Sequence, residues 1–117
     1  MMIGIDILEV NRMDEMISQP HFVRQKIFCD CEWEYYVQTG SRVQTLAGMY
    51  CSKEAFSKAI GTGIVGFKLN DICVHHTEQG QPFLIVQNMA KTILGDRHVN
   101  LSISHTRGTA VAVCVVM

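Results

Sequence analysis

Hydrophobic and polar positions change their spacing along the chain, and this pattern predicts one strand followed by helices. The first ten residues are rich in isoleucine and place a carboxylate, Asp6, among apolar neighbours, which predicts a buried strand over 1–10. Residues that favour helix starts follow it at Asn11, Pro20 and Asp30. We therefore expect three short helices, over 11–18, 20–28 and 30–38.

The clearest predicted element is a helix over 43–60. Its apolar residues occupy almost the whole circumference at 3.6 residues per turn, which is typical of a helix buried on most sides. Ser41 and Gln44 have the spacing of a capping box at its start, and Gly61 provides a stop at its end. This segment is predicted to be the core helix.

The second half of the chain is mostly strand. We predict strands over 71–76 and 83–87, a helix over 89–94, and a final hairpin of strands 100–105 and 109–116. A strand, then helices, then mostly strands indicates an α+β fold. The expected architecture is an antiparallel sheet packed on the long central helix, with the N-terminal strand and the short helices around it.

Length and composition restrict the possible function. The 117 residues fit one domain over 1–117, and 48% of them are hydrophobic, so we expect apolar surface to be covered by self-association. A net charge of -1 argues against general electrostatic binding to nucleic acid or to a membrane. No apolar run approaches the roughly 18 residues of a membrane span.

The cysteines and histidines show no metal-binding spacing. Five cysteines form no C-x-x-C pair, and C-D-C at 29–31 is too tight for zinc, with no second pair near it in sequence. We expect reduced, buried cysteines in a cytoplasmic protein, because nothing at the N-terminus resembles a cleavable signal. His75 and His76 alternate in a predicted strand and are interpreted as strand residues.

Three charged residues suggest phosphoryl chemistry. Glu54 and Lys58 are four residues apart on the core helix, where they form either a structural ion pair or a functional one. Asp6 is costly to bury unless it is paired or bound to a cation. Because one or two carboxylates with substrate phosphates can complete a Mg²⁺ site, Asp6 and Glu54 are the predicted metal ligands.

Two further segments can meet phosphate groups. The turn Gly61-Thr62-Gly63 offers backbone amides, although its glycines close a helix and are equally typical of a helix stop. Near the C-terminus, Ser104, His105 and Thr106 belong to a polar cluster in which His105 can donate to phosphate. Adjacent strand residues point to opposite faces, which argues against a serine–histidine hydrolase.

Three segments in this order resemble the holo-acyl-carrier-protein synthases, small 4′-phosphopantetheinyl transferases. They are GIDILEV at 4–10, LAGMYCSKEAFSKAIGTG at 46–63 and LSISHTR at 101–107, and the weaker segments FCDCEWEYY at 28–36 and GQPF at 80–83 also fit. The resemblance spans essentially the whole chain. It implies transfer of the phosphopantetheine arm of coenzyme A to a serine of apo-acyl carrier protein, with release of adenosine 3′,5′-bisphosphate, in fatty acid biosynthesis.

The resemblance also implies a role for each matching residue. Asp6 and Glu54 would ligate Mg²⁺ with the coenzyme A diphosphate, and Lys58 would neutralise its charge and protonate the leaving group. The nucleotide and its phosphates would be lined by Arg42, Gly61, Thr62, Gly63, Ser104, His105 and Thr106. The group that deprotonates the attacking serine stays open between Glu54, a metal-bound water and a carboxylate of the segment 30–34.

Family members of this size are trimers with the site between subunits, so a homotrimer is implied. The acidic carrier protein would dock near Arg12 and Arg24, with Lys26 as a further candidate. One departure concerns Met49, because the family usually has an arginine there, and fewer cations then face the coenzyme A phosphates. This departure leaves open a catalytically weakened trimeric coenzyme A-binding protein. The same metal ligands, with water as the acceptor, also leave open a Mg²⁺-dependent hydrolase.

Overall fold

The computed structural model describes residues 1–61 and 66–117 as an α+β structure. These residues form five strands and five helices, in the order β1 (Met2–Glu9), α1 (Val10–Ser18), α2 (Arg24–Ile27), α3 (Asp30–Gln38), α4 (Val43–Ala59), β2 (Ile72–His76), β3 (Pro82–Val86), α5 (Asn88–Leu94), β4 (Val99–His105) and β5 (Thr109–Val116). A short 3-10 turn, Leu69–Asp71, precedes β2. The predicted fold class is confirmed.

The strands form two antiparallel sheets. The larger sheet has the order β1-β5-β4, so the first and last strands of the chain pair with Met2 opposite Val116. The smaller sheet is the hairpin of β2 and β3. One face of β5 is fully buried and packs with the central helix α4 in the core, because alternate residues of a strand share a face. Because β1 pairs with β5, this packing also places β1 against α4.

Gly4 allows β1 to lie directly on α4. A Cβ atom at this position would overlap the carbonyl oxygen of Ala55 and lie 2.5 Å from the amide nitrogen of Ala59. Only glycine leaves space for this close approach of two backbones. Asp6 is two residues further along β1 on the same face, so the contact at Gly4 sets the distance between Asp6 and α4.

Two predicted helix starts differ from the structure. Ser41 does not cap α4: it has a positive φ of 52°, and Arg42 occupies the N-cap position without a side-chain hydrogen bond. The capping box instead belongs to α3, where Cys29 and Glu32 form it. The helix predicted over 20–28 is reduced to the four residues of α2.

Along β1 and β5, the outer face of the larger sheet is apolar and open to solvent. Ile3, Ile5 and Ile7 of β1 are 58%, 57% and 67% exposed. In register with them are the half-buried side chains of Val111, Val113 and Val115 on β5. Large exposed apolar areas of this kind mark interaction surfaces in soluble proteins.

The prediction of reduced, buried cysteines is wrong for three of the five. Cys29 and Cys73 form a disulfide across a sequence separation of 44 residues, with Cα atoms 6.0 Å apart. Cys31 is a free, exposed thiol, while Cys51 and Cys114 are free and buried as expected. The fold brings Cys73 next to the start of α3, a proximity that the spacing of the cysteines did not indicate.

Candidate active site

The charged side chains predicted on β1 and α4 meet at one place. The Nζ atom of Lys58 donates hydrogen bonds to Asp6 Oδ1 at 3.0 Å and to the carbonyl oxygen of Ile5 at 3.0 Å. The Asp6 side chain is 17% exposed and that of Lys58 is 55% exposed. The pair therefore joins β1 to α4 at the surface, with the carboxylate recessed and the ammonium group accessible to a ligand.

Glu54 lies one turn before Lys58 on α4 and is half-buried. Burial raises the pKa of its carboxyl group, a hydrogen bond from Tyr50 lowers it, and the charge of Asp6 raises it further. The two carboxylates thus repel each other across the gap between β1 and α4. A hard divalent cation would offset this repulsion, so the donor set fits Mg²⁺, with Asp6 and Glu54 as the residues that would hold it.

The Cys51 thiol and the Tyr50 phenol, which lie near the two carboxylates, stay protonated. Burial, together with the charge and hydrogen bond of Asp6, raises the pKa of Cys51 to about 12. Burial and the charge of Glu54 also raise the pKa of Tyr50. Near neutral pH the thiol and the phenol are therefore hydrogen-bond donors, and the anionic charge of the site resides on Asp6 and Glu54.

A cavity of about 240 Å³ lies along α4. It is lined by Gly48 and Met49 of α4, Ile103 and His105 of β4, and Tyr35, Gln44, Thr45, His76, Gly80 and Pro82. Met49 is 1% exposed and places a thioether, without charge, against this cavity. Gly48 lets β4 approach α4, because a Cβ atom there would lie 3.0 Å from Ile103 Cγ2.

Other predicted site residues take different positions. Ser104 is exposed on the outer face of the larger sheet, opposite Val111, and His105 lies on the other face. The Thr106 hydroxyl oxygen accepts hydrogen bonds from the backbone amides of Gly108 and Thr109 at 3.3 and 3.2 Å, which orders the hairpin turn. Within one chain, the structure therefore does not bring Ser104 to the Asp6–Glu54 pair.

Arg42 and the glycine turn lie at opposite ends of α4. Arg42 is exposed at the N-cap position. Gly61 follows the last turn with a φ of +77° and is exposed, as a helix stop requires. Thr62 and Gly63 lie outside the described residues, so their predicted contacts with phosphate stay predictions.

Sequence reasoning missed the buried ion pair that anchors α4. Lys53 and Glu32 are both 0% exposed, and Lys53 Nζ lies 2.7 Å from Glu32 Oε1. Lys53 points inward, and its Nζ atom also donates to the backbone carbonyl oxygens of Leu69 and Ile72. The signal was present in the pattern, because a charge on a helix that is apolar on nearly all sides needs a buried partner.

Comparison with known proteins identifies the family. The family model of the 4′-phosphopantetheinyl transferase superfamily matches residues 2–114. The chain belongs to the 4′-phosphopantetheinyl transferase superfamily. A curated relative from Fusobacterium nucleatum, a holo-[acyl-carrier-protein] synthase, is 37% identical over 119 residues, which cover 98% of this chain and 97% of the relative. The resemblance stated from the sequence is confirmed.

Solved structures of this superfamily share the fold. A holo-(acyl-carrier-protein) synthase from Bacillus anthracis in complex with CoA (3′,5′-ADP) is 36% identical, with a TM-score of 0.82 over 98% of this chain and 94% of that chain. The synthase from Neisseria meningitidis is 30% identical, with a TM-score of 0.88 over 99% and 97%. These likenesses confirm the predicted phosphopantetheinyl transferase architecture and the predicted enzyme class.

Proposed function

We propose that this chain, as one domain over 1–117, is a Mg²⁺-dependent holo-acyl-carrier-protein synthase. It transfers the 4′-phosphopantetheine group of coenzyme A to a serine hydroxyl of apo-acyl carrier protein and releases adenosine 3′,5′-bisphosphate. The observation that carries this proposal is the meeting of Asp6, Glu54 and Lys58 between β1 and α4. Relatives named for this reaction, one of them bound to CoA (3′,5′-ADP), support it.

Each side chain of the cluster has a distinct task. Asp6 holds the Lys58 ammonium group in place at 3.0 Å. Lys58 offers its charge to the diphosphate and gives a proton to the phosphate oxygen that leaves. Bound Mg²⁺ supplies charge neutralisation and polarises the reacting phosphorus. Such positioning and electrostatic stabilisation provide most of the catalysis in phosphoryl transfer.

Glu54 is the carboxylate best suited to take the proton of the attacking serine. Burial and the charge of Asp6 raise its pKa, which favours uptake of the serine proton, and bound Mg²⁺ would oppose this shift. Glu32 is unsuited because Lys53 and two backbone amides occupy its oxygens in the core. As the new bond from serine oxygen to phosphorus forms, the serine proton passes to Glu54 and the phosphorus–oxygen bond to the nucleotide breaks.

The apolar outer face supports the homotrimer. Ile3, Ile5 and Ile7 lie on the edge strand β1, and the part of the chain that the structure describes leaves them uncovered. Ser104 lies on the same face, opposite Val111 in the register. A neighbouring subunit packed here would bury the isoleucines and bring Ser104 towards the neighbour's nucleotide site, which accounts for its distance from Glu54 within one chain.

The carrier protein docks by charge on α1 and the segment that follows it. Arg12 is exposed on α1, and Lys26 is exposed on α2. Arg24 is less available to the carrier protein, because its guanidinium group lies 3.2 Å from Asp30 and 5.0 Å from the centre of the Trp33 ring. Arg12→Gln should therefore raise the KM for the carrier and weaken its salt dependence, whereas Lys91→Gln on α5 should change neither.

Mass spectrometry of the carrier tests the reaction directly. The protein is incubated with apo-acyl carrier protein, coenzyme A and Mg²⁺, and a carrier that gains one phosphopantetheine group supports the proposal. A carrier of unchanged mass with intact coenzyme A would leave only the weakened coenzyme A-binding protein. Cleaved coenzyme A without a modified carrier would instead identify the hydrolase.

Variants of the two carboxylates test the site. Asp6→Asn and Glu54→Gln should each abolish transfer and leave the circular dichroism spectrum unchanged, because they remove charge and preserve shape. Asp96→Asn and Glu78→Gln are matched controls at exposed turn positions and should keep full activity. Substantial Mg²⁺-dependent transfer by Asp6→Asn or Glu54→Gln would remove that residue from the metal site.

Cytoplasmic location and a place in fatty acid biosynthesis complete the proposal. Both rest on the acyl carrier protein named in the relatives. Among the described residues, no helix has the length and hydropathy needed to cross a membrane.

A further inference from the structure

A disulfide closes the segment of chain that carries the core helix α4. It joins Cys29, the N-cap residue of α3, to Cys73 of β2, across a sequence separation of 44 residues. Both α3 and α4 lie between the two cysteines. The proposed transfer reaction uses neither sulfur atom. The bond therefore acts on the geometry and the stability of this segment, and not on the chemistry of the transfer.

The two cysteines differ in their access to solvent. Cys29 is half-buried, whereas Cys73 is 3% exposed. Because thiol–disulfide exchange requires access to one of the sulfur atoms, an external thiol reaches this bond from the side of Cys29. The bond is thus open to reduction in the folded protein, and its inner sulfur is the one that leaves.

The reduced pair has a hydrogen-bond acceptor already in place. The backbone carbonyl oxygen of Asn70 lies 3.2 Å from Cys29 Sγ and 3.6 Å from Cys73 Sγ. Each sulfur becomes a weak donor once it carries a proton, so both thiols can donate to this oxygen. The Cys29 amide still donates to Glu32 Oε1 at 2.9 Å and keeps the start of α3 in place. Reduction therefore requires no rearrangement of the backbone.

Only non-covalent contacts hold α3 on β2 when the disulfide is absent. Glu32 Oε2 accepts a hydrogen bond from the Val74 amide at 3.0 Å. The rings of Tyr35 and His76 stack with their centres 4.0 Å apart. These contacts preserve the native arrangement, but they can break transiently without a covalent limit. Since Tyr35 and His76 both line the 240 Å³ cavity along α4, the disulfide also restrains one wall of that cavity.

We propose that Cys29 and Cys73 form a reversible redox cross-link: the disulfide fixes α3 to β2, and the dithiol leaves the fold intact but allows α3 to open. Disulfides in cytoplasmic proteins are usually transient or redox-sensing, which agrees with the proposed location. Closing a loop also lowers the entropy of the unfolded chain. The oxidised protein is therefore the more stable form.

The redox step balances with a dithiol as reductant. One thiolate of the dithiol attacks Cys29 Sγ, the sulfur–sulfur bond breaks, and its electron pair goes to Cys73 Sγ, which takes up a proton. The second thiolate of the dithiol then displaces Cys29, which is protonated in turn, and closes the disulfide of the reductant. The protein gains two electrons and two protons, and the dithiol loses the same number. A disulfide oxidant reverses the exchange.

Unfolding and hydrogen exchange of the two redox forms test the proposal. The full-length protein is oxidised with diamide or reduced with dithiothreitol. Alkylation in denaturant should then label three cysteines in the oxidised form and all five in the reduced form. For a loop of 44 residues the chain-entropy relation gives an unfolding equilibrium constant up to about 800-fold larger in the reduced form, and we expect at least about tenfold. Amides of α3 should exchange at least about tenfold faster after reduction, and those of α1, outside the loop, should change less.

Variants identify the cysteines that respond. Cys29→Ser/Cys73→Ala should behave as the reduced wild type and ignore dithiothreitol, and serine suits the N-cap position. Cys31→Ser is the matched control, because it removes the exposed free thiol and keeps the disulfide. It should respond to reduction as the wild type does. The proposal is overturned if five cysteines are alkylated after oxidation, if either tenfold difference is absent, if Cys31→Ser loses the response, or if the double variant keeps it.

Discussion

Replacing Lys53 by methionine should destabilise the protein more than most single substitutions, although Lys53 lies outside the proposed catalytic cluster. Its ammonium group is 2.7 Å from Glu32 Oε1 and donates to the carbonyl oxygens of Leu69 and Ile72. Lys53→Met keeps the length of the side chain and removes the charge. Glu32 then loses its cationic partner in the core and keeps two backbone amides as donors, and two carbonyl groups lose their donor.

The expected cost follows from the burial of the pair. Both side chains are 0% exposed, and removing one partner of a buried ion pair costs about 3–5 kcal/mol because the other charge stays uncompensated. With a urea slope of about 2 kcal/mol per molar, the unfolding midpoint should fall by about 2 M. The double variant Glu32→Leu/Lys53→Met removes both charges, and we expect it to recover most of this loss.

Urea unfolding followed by circular dichroism, at one fixed chain concentration, gives these free energies. Lys91→Met on the surface of α5 is the matched control and should stay within about 0.5 kcal/mol of the wild type. A loss below about 1 kcal/mol in Lys53→Met, or a double variant as unstable as the single one, would refute the assignment of a structural ion pair.

The same pair makes a pH-dependent prediction. Burial lowers the pKa of Lys53 from 10.5, and the charge of Glu32 opposes that shift. In Glu32→Gln the folded-state pKa falls further, so between that pKa and 10.5 the unfolded chain binds more protons than the folded one. The free energy of unfolding of Glu32→Gln should therefore rise from pH 7 to pH 9 more steeply than that of the wild type, by at most about 1.4 kcal/mol per pH unit. Equal slopes would contradict this.

Three further substitutions or treatments test the packing around the site. Gly4→Ala should separate β1 from the Ala55 backbone, which lowers both the thermal midpoint and the transfer rate, whereas unchanged activity would show that the strand does not set the site geometry. In the native protein at pH 8, iodoacetamide should leave Cys51 and Cys114 unmodified by peptide mass analysis, because their pKa values are raised to about 12. Ile5→Lys should yield monomers in light-scattering chromatography if the outer face is the subunit contact.

Local patterns predicted most of the fold. The helix expected over 43–60 is α4, Val43–Ala59, and the final hairpin has the predicted strands to within one residue. The first residues of the helices were less predictable than the rest, because some of them depend on contacts with residues distant in sequence. Ser41 looks like an N-cap in sequence, yet it adopts a φ of 52°, while Cys29 caps α3 beside a strand that begins more than 40 residues later.

The site was predictable where a local rule applies and hidden where the fold joins distant segments. Glu54 and Lys58 share a helix face, so their proximity follows from spacing alone. Asp6 could be assigned to them through its cost of burial and the family resemblance. The pairing of Cys29 with Cys73 could not be predicted, since no periodicity links residues 44 positions apart and neither cysteine belongs to a C-x-x-C pair.

Lys53 also connects stability to chemistry. Successive residues of a helix are about 100° apart, so the direction of Lys53 sets the direction of its neighbour Glu54. With Lys53 Nζ fixed between Glu32 and the carbonyl oxygens of Leu69 and Ile72, α4 cannot rotate about its axis without breaking buried hydrogen bonds. Glu54 is thereby held towards Asp6 on β1. The backbone contact of Gly4 with Ala55 and the Lys58–Asp6 pair fix the same rotation from the side of β1, so the buried lysine and the strand together orient the proposed metal ligand.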